Sequence, residues 1–290
     1  MADRAIPHEP VMVAEVLGFL RGPGTVLDMT VGAGGHAEAL LEAGVDRVVG
    51  NDRDPEALAL ATERLSRFGE RFRAVHRRFS QVGEAEAMGP LHGVLFDLGV
   101  SSMQLDRPAR GFGYRADGPL DMRMGGRGRT AAELVNELPE SELADLLFEL
   151  GQERRSRRIA RAIVRARERA PIDTTDRLTE VVVGAVGRRP GGPHPARRTF
   201  QALRIAVNRE LEELTASLPR AAGLLGPGGR VVVISYHSLE DGIAKRSFRD
   251  DDRLRILTKK PLRPSTEEVA RNPRARSARL RAAERVAEVA

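Results

Sequence analysis

Three carboxylates are spaced along the first hundred residues in a way that suggests one pocket. Asp28 opens the run Asp28-Met29-Thr30-Val31-Gly32-Ala33-Gly34-Gly35-His36. Glycines at such a turn let the backbone take positive φ angles and approach a ligand with no Cβ in the way. Asp52 follows Gly32 by twenty residues and Gly34 by eighteen, the place from which a carboxylate accepts both ribose hydroxyls of an adenosine. Asp97 leads into the polar run Asp97-Leu98-Gly99-Val100-Ser101-Ser102-Met103-Gln104. Two ligands suit this frame. Gly32-x-Gly34-x-x-Ala37 satisfies the dinucleotide fingerprint, but a dinucleotide brings an anionic pyrophosphate to the helix N-terminus, where nearby acids are unfavourable. S-adenosylmethionine carries a sulfonium and an ammonium, which Asp28 and Asp97 favour electrostatically. The carboxylates therefore lean toward the methyl donor, with a nicotinamide-dependent oxidoreductase as the competing enzyme.

The elements that must position these groups alternate between strands and helices. Thr25–Asp28 reads as a strand, the glycine turn leads into a helix over about His36–Glu42, and Arg47–Asn51 is a second strand. Asp54-Pro55-Glu56 has the chemistry of a helix start, with Asp as cap and Pro at the first helical position. Leu58, Ala61 and Leu65 supply its buried stripe. Further strands are expected at Arg71–His76 and Gly93–Asp97. This alternation implies an α/β fold, a parallel sheet with helices on both faces. Catalytic loops in such folds lie at the carboxyl ends of the strands.

The pattern changes after Gln104. Asp106–Arg129 is rich in Gly, Arg, Pro and Asp, with Gly111-Phe112-Gly113-Tyr114 as an irregular loop, and helical segments then follow without strands. Thr130-Ala131-Ala132-Glu133 is a capping box. Helices are expected over Glu140–Leu150, Ser156–Arg169 and Asp176–Val186, then one long helix over Thr199–Ser217 after a Pro/Gly loop. Gly226-Pro227-Gly228-Gly229 reads as a turn before a strand at Arg230–Ser235. Ser238–Phe248 looks helical, and Ser277–Val286 is a candidate last strand. The domain reading is residues 1–105 with 199–290 for the cofactor domain, and 106–198 for a helical insertion.

Composition narrows the class. With 41% hydrophobic residues the chain has ample core, and with no cysteine it has neither disulfides nor thiolate metal sites. The six histidines show no tight metal-ligand spacing, so no metal is expected. No apolar run suits a signal peptide or a membrane span, which fits a cytoplasmic protein without a membrane partner. The net charge is +6, and eight arginines but one acid lie between Arg154 and Arg169. Such clustering suits a phosphate-backbone binder, although charge alone does not separate it from a solvated helix face.

Longer runs then resemble one family along nearly the whole chain. They are His8-Glu9-Pro10-Val11, Asp28 to His36, Asp52-Arg53-Asp54-Pro55, Phe96 to Gln104, Gly118 to Met124, Arg158 to Ile163, His194 to Ala202, Asn208 to Glu213, Ile234 to Asp241 and Asn272 to Ser277. Together they are similar to the bacterial family of methyltransferase H of small-subunit ribosomal RNA. The resemblance implies a Rossmann-like class I methyltransferase sheet with an inserted all-helical domain for RNA recognition. It implies N4-methylation, from S-adenosylmethionine, of a cytosine in 16S ribosomal RNA near the decoding centre. It further implies that Gly34, Gly35, His36, Asp52, Phe79, Asp97 and Gln104 contact the methyl donor. The sequence departs from the family at Met29, Val31, Asn51, Met103 and Tyr236, and the last two are read as altering surfaces more than chemistry. The stretch Asp250–Pro264 is compact compared with some members of the family, so the resemblance assigns it no RNA contacts.

The implied partner is small-subunit ribosomal RNA or the 30S particle, with a homodimer compatible. Asp97 is the expected catalytic residue, a hydrogen-bond acceptor for the target amine. His237, beyond an apolar strand, is a weaker candidate for proton removal than for a structural role. His194 reads equally as a turn residue or an RNA contact. A non-catalytic RNA-binding or ribosome-assembly factor remains the alternative of another class.

Overall fold

The computed structural model describes residues 9–287, apart from residue 88; His8 of the first matching run lies outside them. The chain divides into two compact units. One is Val100–Glu210, and the other is formed by the chain up to Gly99 and from Leu211 onward. Each is described by itself.

The first unit is built on seven strands: β1 (Thr25–Asp28), β2 (Arg47–Asp52), β3 (Phe72–His76), β4 (Leu91–Asp97), β5 (Leu225–Ser235), β6 (Leu254–Ile256) and β7 (Arg279–Arg285). Their order is β3-β2-β1-β4-β5-β7-β6. The first five run parallel. β7 is antiparallel to both β5 and β6, so the expected parallel sheet ends in an antiparallel edge. Successive side chains leave opposite faces of a strand, and the core obeys this. Val26, Val48, Leu95 and Val232 pack on one face with Val16, Leu40 and Leu58. Leu27, Val49, Phe96 and Val233 pack on the other with Leu214, Leu218 and Phe248. Helices Val13–Leu20, Gly35–Glu42 and Pro55–Leu65 therefore cover one face, and Glu210–Leu224 and Ser238–Asp250 the other. This is a doubly wound, Rossmann-like α/β sheet. Strand order reverses between β1 and β4, the switch point where such sheets form a ligand crevice.

Two readings from sequence are corrected here. The Gly226–Gly229 segment is not a turn outside the sheet. It lies within β5 as an irregularity, the pairing stepping from Leu91↔Leu225 to Gly93↔Arg230. The expected helix over Thr199–Ser217 is two helices, Arg197–Asn208 and Glu210–Leu224, separated by Arg209 in the left-handed region at φ 51°. Asn208 explains the break. It is 1% exposed, its Nδ2 donates to the Met122 carbonyl at 2.8 Å, and its Oδ1 accepts from Met124 N at 3.0 Å.

In the second unit the helices Ala131–Glu137, Glu140–Glu149, Ser156–Arg167, Thr175–Val186 and Arg197–Asn208 surround Leu134, Leu143, Leu147, Ile159, Ile163, Leu178, Phe200 and Leu203. The two compact units meet at 99/100 and 210/211. Phe200, Ala202 and Leu203 of the last helix are core residues of this unit. Thr130 closes the expected capping box with Glu133. Among the described residues no helix is long and apolar enough to cross a membrane.

Asn208→Ala leaves a buried donor and acceptor of the Met122–Met124 segment without partners. The expected loss of folding stability is at least about 2 kcal/mol, read as a lowered denaturant midpoint. A midpoint unchanged from the parent would show that the break has another cause.

Candidate active site

The crevice is assembled from strand ends. β1 delivers Asp28 and pairs it with Gly50 of β2 and Leu95 of β4. Beyond it, Met29 N donates to Leu95 O at 2.8 Å and Val31 N to Asn51 O at 2.9 Å, so the turn is stitched to both neighbours. Gly34 caps the next helix at φ 85°, a left-handed conformation that disfavours any Cβ. A Cβ there would also meet Leu65 at 3.1 Å.

The three carboxylates differ in environment. Asp28 is 1% exposed. Its Oδ1 accepts from Thr30 N at 3.0 Å, while its Oδ2 is buried with no partner. Burial pushes its pKa up to about 7, against the pull of His36 and with help from Asp97 and Asp52. Asp52 is raised to about 6 by burial, although Gly32 N and Asp54 N donate to its two oxygens at 3.0 and 2.9 Å. Arg53 N is a third main-chain donor to the same carboxylate. Asp97 is also raised by burial, with His36 and Tyr236 opposing.

His36 is turned inward. Its Nε2 lies 2.8 Å from Val11 O. A carbonyl only accepts, so this nitrogen carries the proton. Its Nδ1 faces Asp97 Oδ2 at 3.6 Å. What His36 and Gly35 offer toward the turn is therefore main-chain N–H, free of intrahelical partners at a helix start. Phe79 follows β3 and meets Phe96 edge-on, with ring centroids 5.7 Å apart, which places it beside the strand that ends in Asp97.

The structure thus brings Gly34, Gly35, His36, Asp52, Phe79 and Asp97 to the carboxyl edge of one sheet. Gln104 belongs to the second unit, where its Oε1 accepts from Ser101 N at 3.1 Å and its own N donates back to Ser101 Oγ. His237 caps helix Ser238–Asp250, its Nδ1 accepting from Glu240 N. That assigns it the structural alternative. His194 accepts from Ala196 N at 3.3 Å and stacks on Tyr114, which makes it a turn residue.

Sequence reasoning underrated two residues. Tyr236, read as a surface change, donates its hydroxyl to Asp97 Oδ1 at 2.8 Å. Asn51, noted only as a departure, is fully buried; it donates to Met29 O at 3.1 Å and accepts from Arg77 N at 3.1 Å. A polar residue inside an apolar strand was the signal for Asn51. For Tyr236 there was none, because its partner is 139 residues away.

The pH linkage of Asp28 has a definite sign. Between the ordinary 3.8 and about 7 the folded chain keeps a proton on Asp28 that the unfolded chain has released. The folded form therefore loses stability as pH rises through this window. Asp28→Asn, which keeps an acceptor for Thr30 but cannot ionise, should gain stability relative to the parent from pH 4 to 7, by a few kcal/mol at most. Thermal melts across that range measure it. A difference independent of pH would mean that Asp28 ionises as freely in the fold as in the unfolded chain.

Known proteins supply the context. A profile described as the MraW methylase family matches residues 5–286. The chain is 52% identical to a protein of Methylobacterium sp. named ribosomal RNA small subunit methyltransferase H, covering 96% of this chain and 91% of that one. It is 51% identical to a protein of the same name from Sorangium cellulosum, covering 98% and 92%. With a crevice of carboxylates at the switch point and this similarity from end to end, the chain belongs to the MraW methylase family.

Proposed function

We propose that this chain transfers the methyl group of S-adenosylmethionine to N4 of a cytosine in small-subunit (16S) ribosomal RNA, near the decoding centre. The observation that carries the cofactor is the unpaired, buried Oδ2 of Asp28 beside Asp97 and Asp52. A cationic ligand compensates such a group, whereas a pyrophosphate would add negative charge to it. The nicotinamide alternative is disfavoured on that ground. The substrate rests on the relatives' name and, for the cytosine and its atom, on the resemblance of the ordered motifs.

The residues divide the work. Gly34, Gly35 and His36 give main-chain donors and close approach at the turn. Asp52, at the end of β2, accepts the ribose hydroxyls, and Phe79 lines the crevice beside Phe96. For Gln104 the cofactor contact rests on the resemblance alone. When bound, the cofactor supplies an electrophilic methyl group. Cytosine's exocyclic amine is a poor nucleophile because its lone pair is delocalised into the ring. Asp97 accepts a hydrogen bond from that amine and favours the pyramidal nitrogen that attacks. Most of the rate comes from alignment and fixed electrostatics.

Val100–Glu210 is the RNA-recognition unit in this reading. Its arginines are not equivalent. Arg155 donates to Val186 O, Arg161 pairs with Glu140 and Arg167 donates to Val135 O. Arg154, Arg157, Arg158 and Arg165 are exposed, and these suit backbone phosphates.

Transfer of labelled methyl from S-adenosylmethionine to small ribosomal subunits lacking the modification, followed by nucleoside analysis, tests the function. N4-methylcytidine is the expected product. Label in another nucleoside overturns the base assignment, and no label supports a non-catalytic binder. Asp97→Ala should lower turnover on the order of 100-fold or more; full turnover with unchanged cofactor affinity removes both of its roles. Replacing Arg157, Arg158 and Arg165 by Ala should weaken RNA binding and reduce its salt slope by about 2, whereas an unchanged slope makes that face merely solvated.

A further inference from the structure

Tyr236 performs none of the steps above, yet it touches the residue on which they turn. It follows β5 directly, and three restraints hold it. Its N donates to Glu240 Oε2 at 2.8 Å, its ring is partly buried against the core of one sheet face, and it lies over Gly99. That glycine sits at φ 101°, and a Cβ there would come within 3.3 Å of the ring. From this fixed position the phenol donates to Asp97 Oδ1 at 2.8 Å. Asp97 N in turn donates to Thr30 Oγ1 at 2.6 Å, and Asp97 Oδ2 faces His36.

We propose that Tyr236 is a positioning residue for Asp97: its hydroxyl fixes the carboxylate's orientation and reserves the remaining lone pairs for the target amine. The proposal rests on the methyltransferase reading. A carboxyl group rotates about its terminal bond between broad wells, and one directed O–H selects an orientation. The same bond bears on charge, because an ionised carboxylate accepts more strongly than a neutral one.

The groups facing Asp97 can be set against each other. Asp28 from β1 and Glu240 from helix Ser238–Asp250 disfavour its ionised form, as does burial. His36 from helix Gly35–Glu42 and the Tyr236 hydroxyl favour it. The phenol stays protonated throughout, held well above its ordinary value by burial and then by Asp97. It is therefore a permanent donor and not a base.

Tyr236→Phe removes the hydroxyl and keeps the ring. Two readouts are taken from pH 5 to 9: single-turnover methyl transfer to unmodified small subunits, and calorimetric affinity for S-adenosylhomocysteine. The acidic limb of transfer should move up by about one pH unit, the size of shift one such hydrogen bond supplies. At pH 7 turnover should fall about 10-fold with KM for the subunits unchanged. In an Asp97→Asn background, adding Tyr236→Phe should change the affinity less than 2-fold, because the bond's charged acceptor is already gone. An active parent whose profile Tyr236→Phe leaves in place overturns this proposal alone. So does an affinity loss of equal size in both backgrounds, which would make Tyr236 a packing residue. A parent that transfers no methyl group overturns the methyltransferase reading and, with it, a reaction for Asp97 to serve.

Discussion

Asp28 stands almost wholly out of water at the end of β1, with one oxygen held by Thr30 and the other unpaired. Burying a carboxylate this way is costly unless something compensates it. The fold compensates only in part, which is why its pKa rises to about 7. Much of the surrounding geometry follows from that incomplete compensation. Thr30 gives its N–H to Asp28 and takes one from Asp97 on its hydroxyl, so the ends of β1 and β4 are joined through one residue. Asn51 ties the same turn to β2 and β3. The crevice is rigid for polar reasons at its floor, while apolar packing on both sheet faces holds the strands beneath it.

Local chemistry made much of this readable in the sequence. The Asp54 cap accepts from Glu56 N where Asp-Pro-Glu places it, and Leu58, Ala61 and Leu65 are buried as their spacing requires. The carboxylates at strand ends were legible because strand, turn and helix signals adjoin them. The unreadable parts depend on distant partners. The Thr199–Ser217 segment reads as one helix, and only Met122 and Met124, more than eighty residues earlier, draw Asn208 into a break. Tyr236 looks like an aromatic after a strand, and only Asp97 gives it a chemical role. Nothing local distinguishes a tyrosine that packs from one that donates. The proposed cytosine and its N4 are of a third kind, resting on ordered motifs that resemble a family and not on any single spacing.

Charge in the second unit illustrates the same division. A count of arginines from Arg154 to Arg169 overstates the charge left for the proposed phosphate contacts, because three of them serve main-chain carbonyls or Glu140. An arginine that closes a loop cannot also release a counterion on binding RNA without breaking that bond. Position on the helix explains two of the three: Arg155 and Arg167 each stand four residues from a buried isoleucine, Ile159 and Ile163, whereas Arg161 shares the outer face with Arg157 and Arg165 and is occupied only by Glu140.

His36 faces inward because Val11 O takes the proton on its Nε2. That bond turns Nδ1 toward Asp97 Oδ2, 3.6 Å away, while Tyr236 donates to the opposite oxygen. The Asp97 carboxylate is thus bounded on both sides by side chains that are themselves anchored, His36 by the Val11 carbonyl and Tyr236 by its main-chain bond to Glu240. In the proposed reaction, a carboxylate confined in this way needs little further ordering when the target amine arrives.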